Sequence, residues 1–361
     1  MSMQQFPETM RAVVLRAPRQ FAVEDVPVPR PQEPDDVVCK VNTTFICGTD
    51  PHIINGDYPG FWPPSFPFIP GHEWSAVIVE SGTRARSLGW LPGDRVCAIS
   101  HCGCGYCRNC LKGRYNLCLN YGHEDRGHRQ YGHRTPGAYA EYVRASVKSL
   151  IKVPDGFDLS RAACVDPLSI ALYTVKRTRM QPGDDLLIMG AGPQGLMATL
   201  VGKALGAGRI IAVGSGARLE LAKSLGAIPV DYKSGSVVDQ VRELTNGLGA
   251  PAVIESAGTA TSIRDCCLCA AKGGVVSVIG LPLEEPRLPM KRIVLDEIEI
   301  VGDRANPNTA EAALELLVNK RIDLTPLLTH RFALADFATA LDTFETRKDG
   351  AVKVAIKPAG L

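Results

Sequence analysis

The sequence has no run of 18 consecutive apolar residues, which excludes a membrane-spanning helix of ordinary length. Its opening, Met1–Val14, lacks the apolar core of a secretory leader, so a cytoplasmic protein is expected. A net charge of +2 over 361 residues leaves no electrostatic footprint for nucleic acid or an anionic membrane, so neither is an expected partner. Internal repeats and low-complexity tracts are absent as well. What is present is the composition of a globular protein, 45% hydrophobic and 22% charged. The length exceeds the size at which a single core keeps growing, so two domains are expected.

Cysteine is abundant for a reducing compartment: the chain has 12, and five fall between Cys102 and Cys118. Clustered cysteines in such a compartment point to metal ligands before disulfides. Cys104, Cys107, Cys110 and Cys118 follow the spacing C-x2-C-x2-C-x7-C, with Gly105 and Gly113 easing the turns. Four thiolates on such short loops can wrap one tetrahedral Zn²⁺ and leave no open position, which makes a structural site. Cys97 and Cys102 fall outside this register. Cys266, Cys267 and Cys269, with no histidine near them in sequence, read as small buried hydrophobes.

Residues 1 to about 160 are rich in Pro, Gly and short β-branched runs such as Arg11–Leu15 and Ala76–Val79, an irregular and mostly β texture. From about 183 apolar strands alternate with helical stretches. The strands are Asp185–Met189, Arg209–Val213, Ala252–Ile254 and Gly274–Ile279; Gly195–Leu205 and Arg218–Leu225 are the helices. Continuous apolar runs suit strands buried on both faces, so an α/β fold with a doubly wound parallel sheet is expected. The last stretch, from about 305, holds one amphipathic helix (Thr309–Asn319) and is expected to return to the first domain.

Gly190-Ala-Gly192-Pro193-Gln194-Gly195 follows the first of these strands and opens a helix. The first glycine permits the tight turn, the second admits a pyrophosphate, and the third packs helix on strand, the arrangement of a dinucleotide site. The free N–H groups of the helix start favour the phosphates. An NAD site usually has an acid some 20 residues after the first glycine, to hold the ribose. Here the second strand ends Val213-Gly214-Ser215-Gly216-Ala217-Arg218, and the first acid is Glu220, already in the helix. Gly214 and Ser215 leave room for a 2′-phosphate and Arg218 offers a planar fork to it, so NADP(H) is favoured over NAD(H). Ile279, closing the strand Gly274–Ile279, completes the expected cofactor contacts.

A second set of ligand types remains in Cys47-Gly48-Thr49-Asp50-Pro51-His52, Gly71-His72-Glu73 and Asp166-Pro167. Together they offer thiolate, imidazole and carboxylate, and three protein ligands with an open fourth position is the layout of a catalytic Zn²⁺. With the four-cysteine lobe, the glycine motif and the order of the halves, the chain resembles the zinc-dependent medium-chain alcohol dehydrogenases. The resemblance covers nearly the whole chain. It implies a GroES-like catalytic domain from residues 1–165 and 304–361, carrying the zinc lobe at 97–120. A Rossmann domain would span 166–303, with an active-site cleft between the two, two Zn²⁺ per chain, and a homodimer or homotetramer.

Carried over by the resemblance, Cys47, His72 and Asp166 are the catalytic-zinc ligands, and Glu73 sits beside the metal or swings onto it. The family's secondary-alcohol branch uses Asp at the third position; the polyol and threonine branch has a Glu-Pro pair there. Zn²⁺ takes the pKa of bound water from about 15.7 to about 7, roughly 12 kcal/mol, and would acidify a substrate alcohol similarly, readying it to give hydride to the nicotinamide. Thr49 and His52 match the family's proton relay to solvent, and Asp50 would hold the second ring nitrogen of His72. The substrate is then a small-molecule alcohol or ketone. The aromatic and proline-rich stretch Asp57–Phe68 suggests a stiff wall for an apolar pocket, hence a secondary alcohol or ketone. The alternatives are a polyol, hydroxyketone or amino alcohol, or a non-catalytic nucleotide-binding protein on the same fold. Three Gly-His pairs, Gly122-His123, Gly127-His128 and Gly132-His133, read as a surface loop.

Overall fold

The computed structural model describes residues 7–360. Part of the polar opening on which the reading of no leader rests, Met1–Phe6, lies outside the described residues. The chain divides into two compact units, one running to Asp166 and resuming at Leu328, the other spanning Pro167–Leu327.

In the first unit the strand Asp36–Phe45 is central. It pairs antiparallel with Glu73–Ser81, Tyr142–Ser146 and Lys353–Lys357. The sheet continues through Arg95–Ala98 to Leu150–Lys152 on one side and to Leu328–Ala333 on the other. The alternation of Val37, Cys39 and Val41 turns one face of the central strand into a core with Trp74, Ala76 and Ile78 of its neighbour. Because the C-terminal strands join the same sheet, the unit is built from both ends of the chain.

The second unit is a six-stranded, all-parallel sheet in the order Ile228–Asp231, Ile210–Gly214, Leu186–Met189, Ala250–Glu255, Ala270–Val278, Glu299–Gly302. In chain order this is 3-2-1-4-5-6, the Rossmann arrangement, whose switch point lies beside the first strand. Leu186–Met189 and Ile210–Gly214 are buried at every position, as strands covered on both faces require. Cys266, Cys267 and Cys269 lie on the helix Ala260–Cys269, fully buried; burial pushes the Cys267 thiol up to about 11 and that of Cys269 to about 12.

The second unit ends later than 303. The helix Ala310–Val318 belongs to it, because Asn306 Nδ2 donates to Ser169 Oγ at 2.7 Å and Thr309 Oγ1 to the Ser169 carbonyl at 2.8 Å. Only residues from Leu328 onward return to the first unit. Among the described residues no helix is long and apolar enough to cross a membrane.

Candidate metal centres and dinucleotide site

The four lobe cysteines converge: their sulfurs all lie within 4.8 Å of one another. Cys104 and Cys110 Sγ are 3.9 Å apart, and Cys107 and Cys118 Sγ are 4.0 Å apart. Tetrahedral geometry with Zn–S near 2.3 Å requires sulfur separations of about 3.8 Å, so the cage fits the ion. Backbone N–H groups point at the sulfurs, Cys107 N at Cys104 Sγ (3.4 Å) and Leu119 N at Cys107 Sγ (3.4 Å). The N–H groups of Cys110 and Leu119 bring the Cys107 thiol down to about 6, while burial pushes Cys110 up to about 12. Four converging sulfurs at these separations form a donor set that fits a tetrahedral metal. Cys102 stands outside the cage, buried on the short strand His101–Cys102. Cys97 stands outside it too, on Arg95–Ala98.

The second cluster is assembled by the sheet. Cys47 follows the central strand, and Glu73 opens the neighbouring one, paired with Phe45. The register therefore carries His72 and Glu73 to the thiol, and ligand atoms of Cys47, His72 and Glu73 lie within 4.8 Å of one another. Asp166 is not in that group, a departure from the expected set: it is buried at the start of the helix Val165–Arg177, where its Oδ1 accepts the Ser100 N–H at 3.1 Å. The carboxylate in that group is Glu73. Its Oε2 accepts from the buried ammonium of Lys353, which also reaches the Ile46 carbonyl at 3.3 Å. Lys353 carried no sequence signal, since it lies 280 residues from Glu73 and only strand pairing joins them.

Around this cluster Asp50 is wholly buried. Its Oδ2 accepts from Cys47 N (2.8 Å) and from the Tyr139 hydroxyl (2.6 Å), and its Oδ1 lies 3.5 Å from His72 Nδ1. Burial pushes the Asp50 carboxyl up, but His72, Tyr139 and the Cys47 N–H outweigh it and hold it low. Burial likewise opposes a proton on His72, and Asp50 and Cys47 override it, raising its pKa well above the ordinary value. Thr49 Oγ1 lies 3.5 Å from His72 Nε2, at the start of the helix Asp50–Asn55. His52, one turn on and partly exposed, has its Nδ1 2.6 Å from Asp57 Oδ2.

In the second unit Gly192 caps the helix Pro193–Ala204, with Pro193 in its first turn. A Cβ on Gly195 would meet the Gly190 carbonyl oxygen at 1.8 Å, so only glycine allows this helix to sit on its strand. Gly192 has nothing within 4 Å of that position, the open space a pyrophosphate needs. Gln194 follows in the first turn, and Ile279 N donates to the Glu255 carbonyl at 3.0 Å. Gly214 differs from expectation: a Cβ there would meet Ala191 Cβ at 2.6 Å, so this glycine serves packing against the motif rather than room for a phosphate. Ser215 caps the helix Gly216–Ser224, whose first turn holds Arg218 and no acid; the Ser215 hydroxyl bonds the Tyr232 hydroxyl at 2.9 Å. Tyr232, 17 residues on and exposed, was not legible as a neighbour from the motif.

Comparison with known proteins matches both units. The family described as alcohol dehydrogenase GroES-like domain covers residues 33–155, and that described as zinc-binding dehydrogenase covers 193–319. Sorbitol dehydrogenase of Bacillus subtilis (strain 168) is 31% identical over 98% of this chain and 98% of its own. The chain belongs to the zinc-dependent medium-chain alcohol dehydrogenases. L-threonine 3-dehydrogenase of Alteromonas mediterranea is 32% identical over 94% of this chain and 97% of its own. A zinc-binding dehydrogenase of Sinorhizobium meliloti 1021, solved bound to NADP, superposes with TM-score 0.88 at 30% identity, over 98% of this chain and 100% of that one. As a member of this family the medium-chain dehydrogenase is an oxidoreductase acting on CH–OH groups.

Proposed function

We propose that this medium-chain dehydrogenase oxidises a secondary alcohol, or reduces the ketone, with NADP(H), using two Zn²⁺ per chain. The observation that carries the reading is the convergence of Cys47, His72 and Glu73 within 4.8 Å, beside Thr49. A zinc ion held there would supply Lewis acidity toward the substrate oxygen. Asp50 orients His72 from behind, and Lys353 offsets the buried charge of Glu73. The Thr49 hydroxyl would accept the proton of the alcohol while releasing its own, and His52, its ring held by Asp57, would carry the released proton to solvent. A second ion, held by Cys104, Cys107, Cys110 and Cys118, would keep the lobe in shape.

Gly190, Gly192, Pro193, Gln194 and Gly195 would cradle the pyrophosphate, and Ile279, just past the strand Ala270–Val278, would contact the cofactor. Ser215 and Arg218, with no acid in the turn, favour a 2′-phosphate, and the NADP bound to the Sinorhizobium protein supports this. Phe61, Trp62 and Tyr121 form an aromatic wall near His72, which supports an apolar substrate group. A polyol or amino alcohol is the second reading, favoured by the names of the sorbitol and threonine relatives.

Twelve cysteines, none in a disulfide among the described residues, support a reducing compartment such as the cytoplasm. A homodimer or homotetramer is supported by exposed Val294, Leu295 and Ile300, the last on the edge strand of the parallel sheet. The deciding experiment is a panel of secondary alcohols, polyols and amino alcohols assayed with both cofactors. Turnover of apolar secondary alcohols with NADP⁺ is expected; activity confined to polyols, or to NAD⁺, would replace the corresponding part of the reading.

A further inference from the structure

The Gly-His loop is not a surface loop throughout. His123 is exposed and near Asp125, but His128 and His133 are buried. His128 packs on Tyr121, with ring centroids 4.7 Å apart. His133 reaches the candidate metal centre: its ring lies 4.3 Å from that of His72, tilted by 45°. It also meets Trp62 edge-on at 4.9 Å, and Trp62 packs on Phe61 at 5.0 Å.

The backbone is built to put it there. A Cβ on Gly132 would meet the Gly71 carbonyl oxygen at 2.4 Å and His72 Cβ at 2.9 Å, and Gly132 has φ +74°. A Cβ on Gly137 would likewise meet the Gly71 carbonyl oxygen, at 2.1 Å, and Ala138 N donates to that oxygen at 2.8 Å. The turn is therefore pressed onto the backbone that carries His72, and only glycine at 132 permits it. His133 Nδ1 lies 3.2 Å from the Tyr131 carbonyl, so that nitrogen carries a hydrogen and the ring is fixed.

Such a contact has work to do. Rotation of an imidazole about its Cβ–Cγ bond is soft. The 3.5 Å separation of His72 Nδ1 from Asp50 Oδ1 exceeds the roughly 2.7–2.9 Å of a strong charge-assisted bond, so Asp50 alone holds the ring loosely. A second ring packed 4.3 Å away, centroid to centroid, restricts the remaining freedom. We infer that His133 is a positioning residue that fixes the His72 ring by packing against it at a tilt and, through Trp62, joins the aromatic wall to the metal centre. This rests on the reading of His72 as a metal ligand.

The test uses the full chain, stripped of metal and titrated with Co²⁺, together with its His133→Phe, His133→Leu and His133→Ala variants. The His133→Ala and His133→Leu forms are expected to bind Co²⁺ about ten-fold more weakly at the Cys47–His72 centre. Their visible absorption should shift, kcat should fall more than KM rises, and the four-cysteine cage should keep its affinity. His133→Phe, which retains a flat ring, should stay near the parent in all of these. If His133→Ala does not fold, the contrast of Phe with Leu decides alone. Unchanged Co²⁺ affinity and spectrum in the Leu variant, or equal losses in Leu and Phe, would overturn the inference. A parent chain that binds a single Co²⁺, in the cage only, would instead overturn the two-metal reading beneath it.

Discussion

The ammonium of Lys353, on the last strand, is bonded to the carboxylate of Glu73, and both side chains are almost wholly buried. Removing one partner leaves an uncompensated charge in the core, which costs roughly 3–5 kcal/mol. Lys353→Met should therefore lower the free energy of unfolding of the catalytic unit by about that much. Lys353→Met combined with Glu73→Gln should recover most of the loss, as read from denaturant midpoints.

Cys47 and Cys104 should fail differently. Cys47→Ala is expected to lose one zinc per chain and the stabilisation of several kcal/mol that the ion lends the reaction, a fall in kcat of roughly a thousand-fold, with the melting curve nearly unchanged. Cys104→Ala is expected to lose the other zinc and to melt earlier, by roughly 2–4 °C for each kcal/mol lost. Elemental analysis beside calorimetry separates the two, and normal alcohol oxidation by the Cys47 variant would dismiss the site.

Two carboxylates compete for the third ligand place. Since Glu73, not Asp166, lies with Cys47 and His72, Glu73→Gln should reduce zinc retention at that centre more than Asp166→Asn. Zinc release to a chromophoric chelator measures both, and the opposite order would return the role to Asp166.

Arg218→Ala should raise KM for NADPH about ten-fold and leave that for NADH nearly unchanged, since a lost charge-assisted contact is worth roughly 1.5 kcal/mol. Ser215→Asp should turn the preference toward NADH by adding the missing ribose acceptor and repelling the phosphate. Steady-state kinetics with each cofactor would show it; equal losses for both would speak against the assignment.

Glu255, at the end of the fourth parallel strand, is buried, and burial raises its pKa despite bonds from Ser262 Oγ and the N–H groups of Ala257 and Gly258. The folded state thus holds this proton more firmly than the unfolded chain. Its contribution to stability is complete below the ordinary Glu value of 4.5 and is lost as pH rises through the folded value. Glu255→Gln, which keeps an acceptor for the same three donors, should be no more stable than the parent at low pH and increasingly more stable across that window. Denaturant unfolding at a series of pH values tests this; a pH-independent difference would contradict it.

Much of this protein was legible in one dimension because the responsible interactions are local. The lobe cysteines lie on one short segment, so their spacing alone shows that four sulfurs can share an ion, and the cage sulfurs are as close as that requires. Gly190 to Gly195 is a single turn, and the apolar strands around it declare a parallel sheet by composition. The place of the helix Ala310–Val318 in the second unit was set by contacts such as that of Thr309 with the Ser169 carbonyl, which join residues 140 apart.

What tertiary structure alone decided depends on register and on side chains meeting across long sequence separations. Which carboxylate joins Cys47 and His72 follows from the pairing of Phe45 with Glu73, and the burial of that carboxylate is tolerable only because Lys353 arrives on a strand from the far end of the chain. Gly214 resembles an opening until Ala191 is seen to fill it, and the third Gly-His pair resembles a loop until Gly132 is found against Gly71. Composition and spacing specify which groups are available and which turns are possible. Contact between groups tens or hundreds of residues apart is set by packing, and packing has no signature in any single segment.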